Sequence, residues 1–133
     1  DEYGYYYTCA TPIPFFAEAF NQIRKSAPGG ASHACEYETS LLLHISPELV
    51  KTELFTNVDT LKHHSPFVAG DATLGRQRVV WSTFGIQETK YGACGDPTVA
   101  TAETGRIITE AFRRNAADYM REYYFHKRIK PED

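Results

Sequence analysis

Apolar residues recur every three or four positions in three parts of the chain, which is the spacing of one face of an α-helix. The first helix is predicted before the Pro28-Gly29-Gly30 turn, and its stripe is Phe16, Ala19, Phe20 and Ile23. The second is predicted to end before Pro47, and its stripe is Glu38, Leu41, Leu42 and Ile45. The third repeats for about seven turns, and its stripe is Ile108, Ala111, Phe112, Ala116, Tyr119, Met120 and Tyr123. Asp96 is its predicted N-cap and Pro97 its first residue.

Two segments rich in aromatic and β-branched residues predict short strands, residues 3–9 and 79–84. Strands that alternate with helices favour an α/β fold with parallel pairing. Two short strands make a poor sheet on their own, because both edges of the pair lack hydrogen-bond partners. No repeat or linker divides residues 1–133. The chain is therefore predicted to be one domain portion that forms about half of a sheet.

The composition argues against several classes of function. Hydrophobic residues make up 42% and charged residues 23%, which is ordinary for a globular protein. A net charge of −3 without a basic stripe argues against nucleic acid as a partner. No apolar run is long enough to span a membrane, and residues 1–4 do not resemble a signal peptide. Cys9, Cys35 and Cys94 lack CxxC spacing, so we expect reduced thiols and a cytoplasmic protein.

The octet from His33 to Ser40 carries the strongest candidate chemistry. It places His33 at the mouth of the second predicted helix and Glu38 on that helix's apolar stripe. A glutamate is almost never fully buried without a partner, so we expect Glu38 to pair with His33. The helix dipole disfavours an imidazolium and a carboxylate favours it, a balance that suits proton transfer. The alternative is a histidine that only caps the helix and bonds a loop carbonyl.

The other polar candidates have ordinary alternatives. Glu36 lies three residues after His33, where the two could bind one metal ion, but its more ordinary role is to favour the helix dipole and bind free amides of the first helical turn. His63 and His64 are adjacent, and adjacent side chains of an extended chain point to opposite faces, which favours a surface loop. Cys35 is expected to pack as a small apolar residue rather than react.

The octet resembles the His-Ala-Gly-Glu-x-Glu-Thr-Ser signature of the creatininase (creatinine amidohydrolase) family, with Cys35 in place of glycine. A second stretch, Gly95-Asp96-Pro97 followed by Ala100–Gly105, is similar to the family segment that opens the last helix. The resemblance covers most of residues 3–126, but only the C-terminal half of a typical member. It implies a layered α/β/α fold of which this chain forms about half.

The resemblance also implies a function, a metal-dependent hydrolase acting on a C–N amide or related carbonyl bond. His33 would then protonate the leaving nitrogen with the support of Glu38, and Ser32 and Glu36 are the candidate substrate-binding residues. Family members hold two zinc or manganese ions with Glu-x-His and Asn-Gly-His segments that this chain lacks. We therefore predict no metal ligand here, and expect the metal to be held by a second polypeptide or an N-terminal half within an oligomer. The tryptophans that flank creatinine are absent at the matching positions, so a small-molecule substrate other than creatinine is expected. Other branches of the family hydrolyse formamides, cyclic ketones or lactones, or peptide bonds, and the sequence does not choose among them.

Two other functions remain open. The chain could be a non-catalytic subunit that binds a partner through aromatic clusters near its two ends, namely Tyr3, Tyr5, Tyr6, Tyr7, Tyr119, Tyr123, Tyr124 and Phe125. It could also be a small enzyme complete in itself, with His33, Glu36 and one of His63 or His64 on a single metal ion.

Overall fold

The computed structural model describes residues 8–55, 70–74 and 92–126. Helix α1 spans Ala17–Ile23, α2 spans Glu36–Ile45 and α3 spans Ala102–His126. Strand β1 (Ala31–His33) pairs with β2 (Cys94–Gly95), and short 3-10 turns cover Ile13–Phe15, Pro47–Leu49 and Thr52–Leu54. No helix in these ranges is both long and apolar enough to cross a membrane.

Helix α1 confirms the first predicted helix and brings its aromatic residues into the core. Phe16 and Phe20 are buried, and both rings contact Tyr37 of α2, with centroids 5.4 and 5.7 Å apart. Ile108 and Ala111 of α3 complete the same cluster, together with Ala31 and Cys35. The core of the described residues therefore lies where the three helices meet the start of β1.

Helix α2 ends at Ile45 as predicted, but the apolar stripe predicted for it is wrong. Its buried residues are Glu36, Tyr37, Thr39 and Ser40. Leu42 and Ile45 are 48% and 66% exposed, and Glu38 is only half-buried. The reason is the way α3 packs, since Gly105 brings the backbone of α3 against the Ser40 carbonyl. A small polar residue fits that close crossing where a leucine would not.

Helix α3 confirms a helix of about seven turns but begins five residues later than predicted. Asp96 does not cap the helix, because its Oδ1 accepts a hydrogen bond from Thr98 N at 3.0 Å within a local turn. Thr101 is the cap, and its Oγ1 accepts from Thr104 N at 3.1 Å. The exposed face carries three ion pairs at i, i+3 spacing, Glu103–Arg106, Glu110–Arg113 and Asp118–Arg121, so its basic residues lie on a solvated surface.

The sheet differs from the one predicted. Strands β1 and β2, which were not among the predicted strands, are antiparallel, with Ala31 opposite Gly95 and His33 opposite Cys94. Most of the predicted strand 3–9 and all of 79–84 lie outside the described residues, as do His63 and His64. Thr8 and Cys9, which are described, are not in a strand. The half-fold organisation of residues 1–133 stays a prediction.

Candidate functional site

His33 is the last residue of β1 and its side chain is exposed. It lies two residues before the N-cap Cys35 and three residues before the first residue of α2. The chain turns at Ala34, which has a positive φ of 49°. A non-glycine residue in this left-handed region costs about 1 kcal/mol or more, and such strain clusters at functional sites. The strained turn connects His33, at the end of β1, to the N-cap of α2 at Cys35.

Glu38 fixes the start of α2. Its Oε2 accepts a hydrogen bond from Cys35 N at 3.2 Å, and the Cys35 side chain accepts from Glu38 N in return. This reciprocal pair is a capping box with cysteine at the N-cap. In the part of the chain that the structure describes, no hydrogen bond joins Glu38 to His33. The expected burial of Glu38 is therefore wrong, whereas its catalytic role stays a prediction.

Glu36 is the buried carboxylate of the octet. It is fully buried, and it accepts hydrogen bonds from Lys25 N at 3.0 Å and Ser26 N at 2.7 Å. Backbone amides thus compensate the buried charge, although they belong to the loop after α1 and not to the first turn of α2. Two backbone amides thus donate to the Glu36 carboxylate, and its role in substrate binding stays a prediction. The single-metal enzyme that relied on Glu36 also stays a prediction, because His63 and His64 lie outside the described residues.

Ser32 lies in the middle of β1 and is half-buried. Its carbonyl accepts a long hydrogen bond of 3.5 Å from the hydroxyl of Tyr37. This contact ties the strand to α2 on the side away from β2. Substrate binding by Ser32 stays a prediction.

An ion pair that sequence reasoning missed lies behind β1. Arg24 Nη2 is 2.8 Å from Asp71 Oδ2, and their side chains are 8% and 6% exposed. The two residues are 47 positions apart, so no local pattern could pair them. The available signal was modest: an arginine just after an apolar helix stripe, and the Gly70-Asp71 turn.

Metal ligands do not come together in the described ranges. Within residues 8–55, 70–74 and 92–126, no group of three or more histidine, cysteine, aspartate or glutamate residues could hold a metal ion. The buried carboxylates Glu36 and Asp71 already accept hydrogen bonds from backbone amides. This donor set does not fit a dinuclear metal centre, which needs several free carboxylates and imidazoles.

The three cysteines carry thiols in different environments. Cys35 and Cys94 are buried and Cys9 is exposed. Burial, with a smaller contribution from the Glu38 charge, raises the pKa of Cys35 from 9.0 to about 12. A thiolate is the reactive form, so Cys35 packs as a small apolar residue, as predicted.

We expect the three thiols to react at very different rates with an aromatic disulfide reagent at pH 8. Cys9 should be modified first, and Cys35 only after unfolding.

The raised pKa of Cys35 also affects stability, because the native state keeps the Cys35 proton at a pH at which the unfolded chain loses it. That contribution is present below pH 9 and is lost as the pH rises from 9 towards 12, at about 1.4 kcal/mol per pH unit.

Urea denaturation at pH 8, 9.5 and 10.5 measures this loss, with Cys35→Ala as the matched variant. The dependence attributable to Cys35 is the difference between the two curves, and equal slopes against pH would contradict the assignment.

Comparisons with known proteins agree with one another. A family model described as creatininase (creatinine amidohydrolase) matches residues 6–120. A "mycofactocin precursor peptide peptidase" of Mycobacterium tuberculosis (strain CDC 1551 / Oshkosh) is 38% identical over 86 residues, which cover 65% of this chain and 30% of the relative. The protein of the same name from Mycobacterium ulcerans (strain Agy99) is 39% identical over 80 residues, covering 60% and 28%. The match thus spans less than a third of either relative. No solved structure matches significantly.

Proposed function

Because this chain belongs to the creatininase family, we propose that it forms part of a metal-dependent hydrolase of a C–N amide or related carbonyl bond. Family membership implies an α/β fold, and the described residues contribute mostly helix and a small two-stranded sheet to it. The relatives are named as peptidases of a precursor peptide, which makes a peptide bond the first substrate class to test. The protein is expected in the cytoplasm, where its three thiols stay reduced.

The observation that carries the proposal is the presentation of His33. Its imidazole is exposed at the end of β1, directly before the strained Ala34 turn. An imidazole is the common side chain for proton transfer near neutral pH. In this proposal His33 protonates the leaving nitrogen, and Glu38 supports it by fixing the helix start behind the turn. Ser32 precedes His33 on the same strand and is proposed to contact the substrate.

The metal belongs to another part of the assembly. Because the described residues do not form a metal centre, we propose that zinc or manganese is held by a second polypeptide or by a preceding segment, within an oligomer. The matched region covers less than a third of each relative, which supports the proposal that further residues or a second polypeptide complete the assembly.

A non-catalytic subunit is the second candidate, and one observation favours it. Tyr124 and Phe125, near the end of α3, are 50% and 64% exposed. Exposed aromatic residues are enriched at protein interfaces. In that case the family fold would be kept for partner binding, and His33 would have no effect on turnover.

Native mass spectrometry of the protein isolated with its partners comes first, followed by peptide hydrolysis with added Zn²⁺ or Mn²⁺. His33→Ala in the complete assembly is expected to lower kcat by about a hundredfold or more, because general acid catalysis is removed. His44→Ala is the matched control, since His44 is exposed on α2 and is expected to leave kcat unchanged. An unchanged kcat in His33→Ala would contradict the catalytic role of His33 and favour the non-catalytic subunit.

A further inference from the structure

Three buried charged side chains converge on the loop between α1 and β1, residues 24–30. Arg24 begins that loop, Glu36 reaches it from α2, and Asp71 reaches it from the segment 70–74. Glu36 and Asp71 are 0% and 4% exposed. We call Arg24, Glu36 and Asp71 the loop clamp.

The clamp binds mainly the backbone of the loop, and Arg24 Nη2 also donates to the Ser26 hydroxyl at 3.1 Å. Arg24 donates to the carbonyl of Ser26 at 3.0 Å and to that of Ala27 at 2.9 Å. Glu36 accepts from the amides of Lys25 and Ser26, and Asp71 accepts from the amide of Gly29 at 2.9 Å. Water normally satisfies the backbone groups of a loop, whereas here buried charges satisfy them. The loop is therefore held in one conformation.

The loop leads directly into the strand that carries His33. The carbonyl of Gly30 accepts from Asp96 N at 3.0 Å, and that of Ala31 accepts from Ala72 N at 2.7 Å. Thus segment 70–74 holds both the loop, through Asp71, and β1, through Ala72. Glu36 follows His33 by three positions and reaches back to Ser26, so the clamp fixes the chain on both sides of the histidine.

A contribution to stability is a weak explanation for the buried ion pair between Arg24 and Asp71. A buried ion pair loses its hydration, and replacing one with apolar residues is often neutral or stabilising. Burial tends to raise the pKa of Asp71, but hydrogen bonds from Arg24, Thr73 and Gly29 outweigh it and the pKa lies below its usual value. Asp71 is accordingly ionised at neutral pH, and its carboxylate accepts a hydrogen bond from the Gly29 amide of the loop.

We propose that the loop clamp orients His33, and that Arg24 and Asp71 are positioning residues for this histidine. Neither residue contacts His33, and they act through the backbone of residues 26–31. The structural claim is independent of the hydrolase, whereas its effect on turnover rests on the proposed function.

The orientation of His33 is tested by NMR of the imidazole groups in the full chain, with His33→Gln to assign its signal. In Asp71→Asn, which keeps the side-chain shape but removes the charge, the His33 signal is expected to shift and broaden while that of His44 stays in place. Arg121→Gln is the matched control, because it breaks an exposed ion pair with Asp118 further along α3 and is expected to move neither signal. An unchanged His33 signal in folded Asp71→Asn overturns the proposal.

A second measurement needs no variant, and decides the matter if Asp71→Asn does not fold. Amide hydrogen exchange of the unmodified protein should show protection at Lys25, Ser26 and Gly29, the amides bound by the clamp. Protection there supports the clamp, and exchange as fast as in an unstructured peptide overturns it.

A turnover assay distinguishes a failure of the positioning role from a failure of the proposed hydrolase activity. In the complete assembly Asp71→Asn is expected to lower kcat about tenfold with KM within about twofold, because a misplaced catalytic group slows chemistry more than binding. A wild-type assembly without hydrolysis counts against the proposed function alone, since the NMR result stands without catalysis. Hydrolysis with unaltered kcat in Asp71→Asn counts against the clamp alone.

Discussion

Glu36→Ala is expected to lower the free energy of unfolding by about 4 kcal/mol. The substitution leaves the amides of Lys25 and Ser26 without an acceptor, and Ser26 is itself buried. Each buried donor without a partner costs about 1–3 kcal/mol, and the lost side chain leaves a cavity in addition. Urea denaturation with fitted m-values measures the change.

Two further variants show where that energy resides. Glu36→Gln keeps the volume but turns one acceptor into a donor that faces backbone amides, so we expect about half of the loss. Glu18→Ala is the matched control, because Glu18 is exposed on α1 and is expected to change stability by less than about 0.5 kcal/mol. If Glu36→Ala were as stable as Glu18→Ala, the carboxylate would not hold the loop in solution.

The apolar pattern predicted the helices better than the faces they bury. The aromatic stripe of α1 and the length of α3 both followed from spacing, because those helices pack through apolar residues such as Phe20 and Ile108. The buried face of α2 did not follow from apolar spacing, since this helix buries Ser40 against α3 and Glu36 against the loop. A prediction based on the spacing of apolar residues places a face of polar residues in solvent.

Local signals near the site also had two possible meanings. Asp96-Pro97 is typical of a helix start, but Thr101 competes as an N-cap and is the one used. Ala34 adopts a positive φ without being glycine or asparagine, so nothing in its identity predicted the turn that separates His33 from α2. The pairing of Arg24 with Asp71 joins distant residues, which no single sequence pattern reveals.

Gly105→Ala is expected to destabilise the protein by about 3 kcal/mol, although alanine is the better helix former by about 1 kcal/mol. A Cβ at position 105 would lie 2.0 Å from the Ser40 carbonyl oxygen and 2.8 Å from the Cβ of His44. Neither atom is the end of a flexible side chain, so α2 and α3 would have to separate. That movement would also break the 3.1 Å hydrogen bond from Thr101 N to Ser40 Oγ.

Two variants distinguish this backbone clash from other causes. Ser40→Ala removes the hydroxyl but leaves the carbonyl in place, so adding it to Gly105→Ala should not restore stability. Arg114→Ala is the control for an exposed position on α3, and is expected to change the free energy of unfolding by less than about 0.5 kcal/mol. If Gly105→Ala were instead more stable than the unmodified protein, helix propensity would outweigh the contact and the crossing of α2 and α3 would be looser than described. Because that crossing sets which face of α2 is buried, it also decides whether Glu36 reaches the loop behind His33.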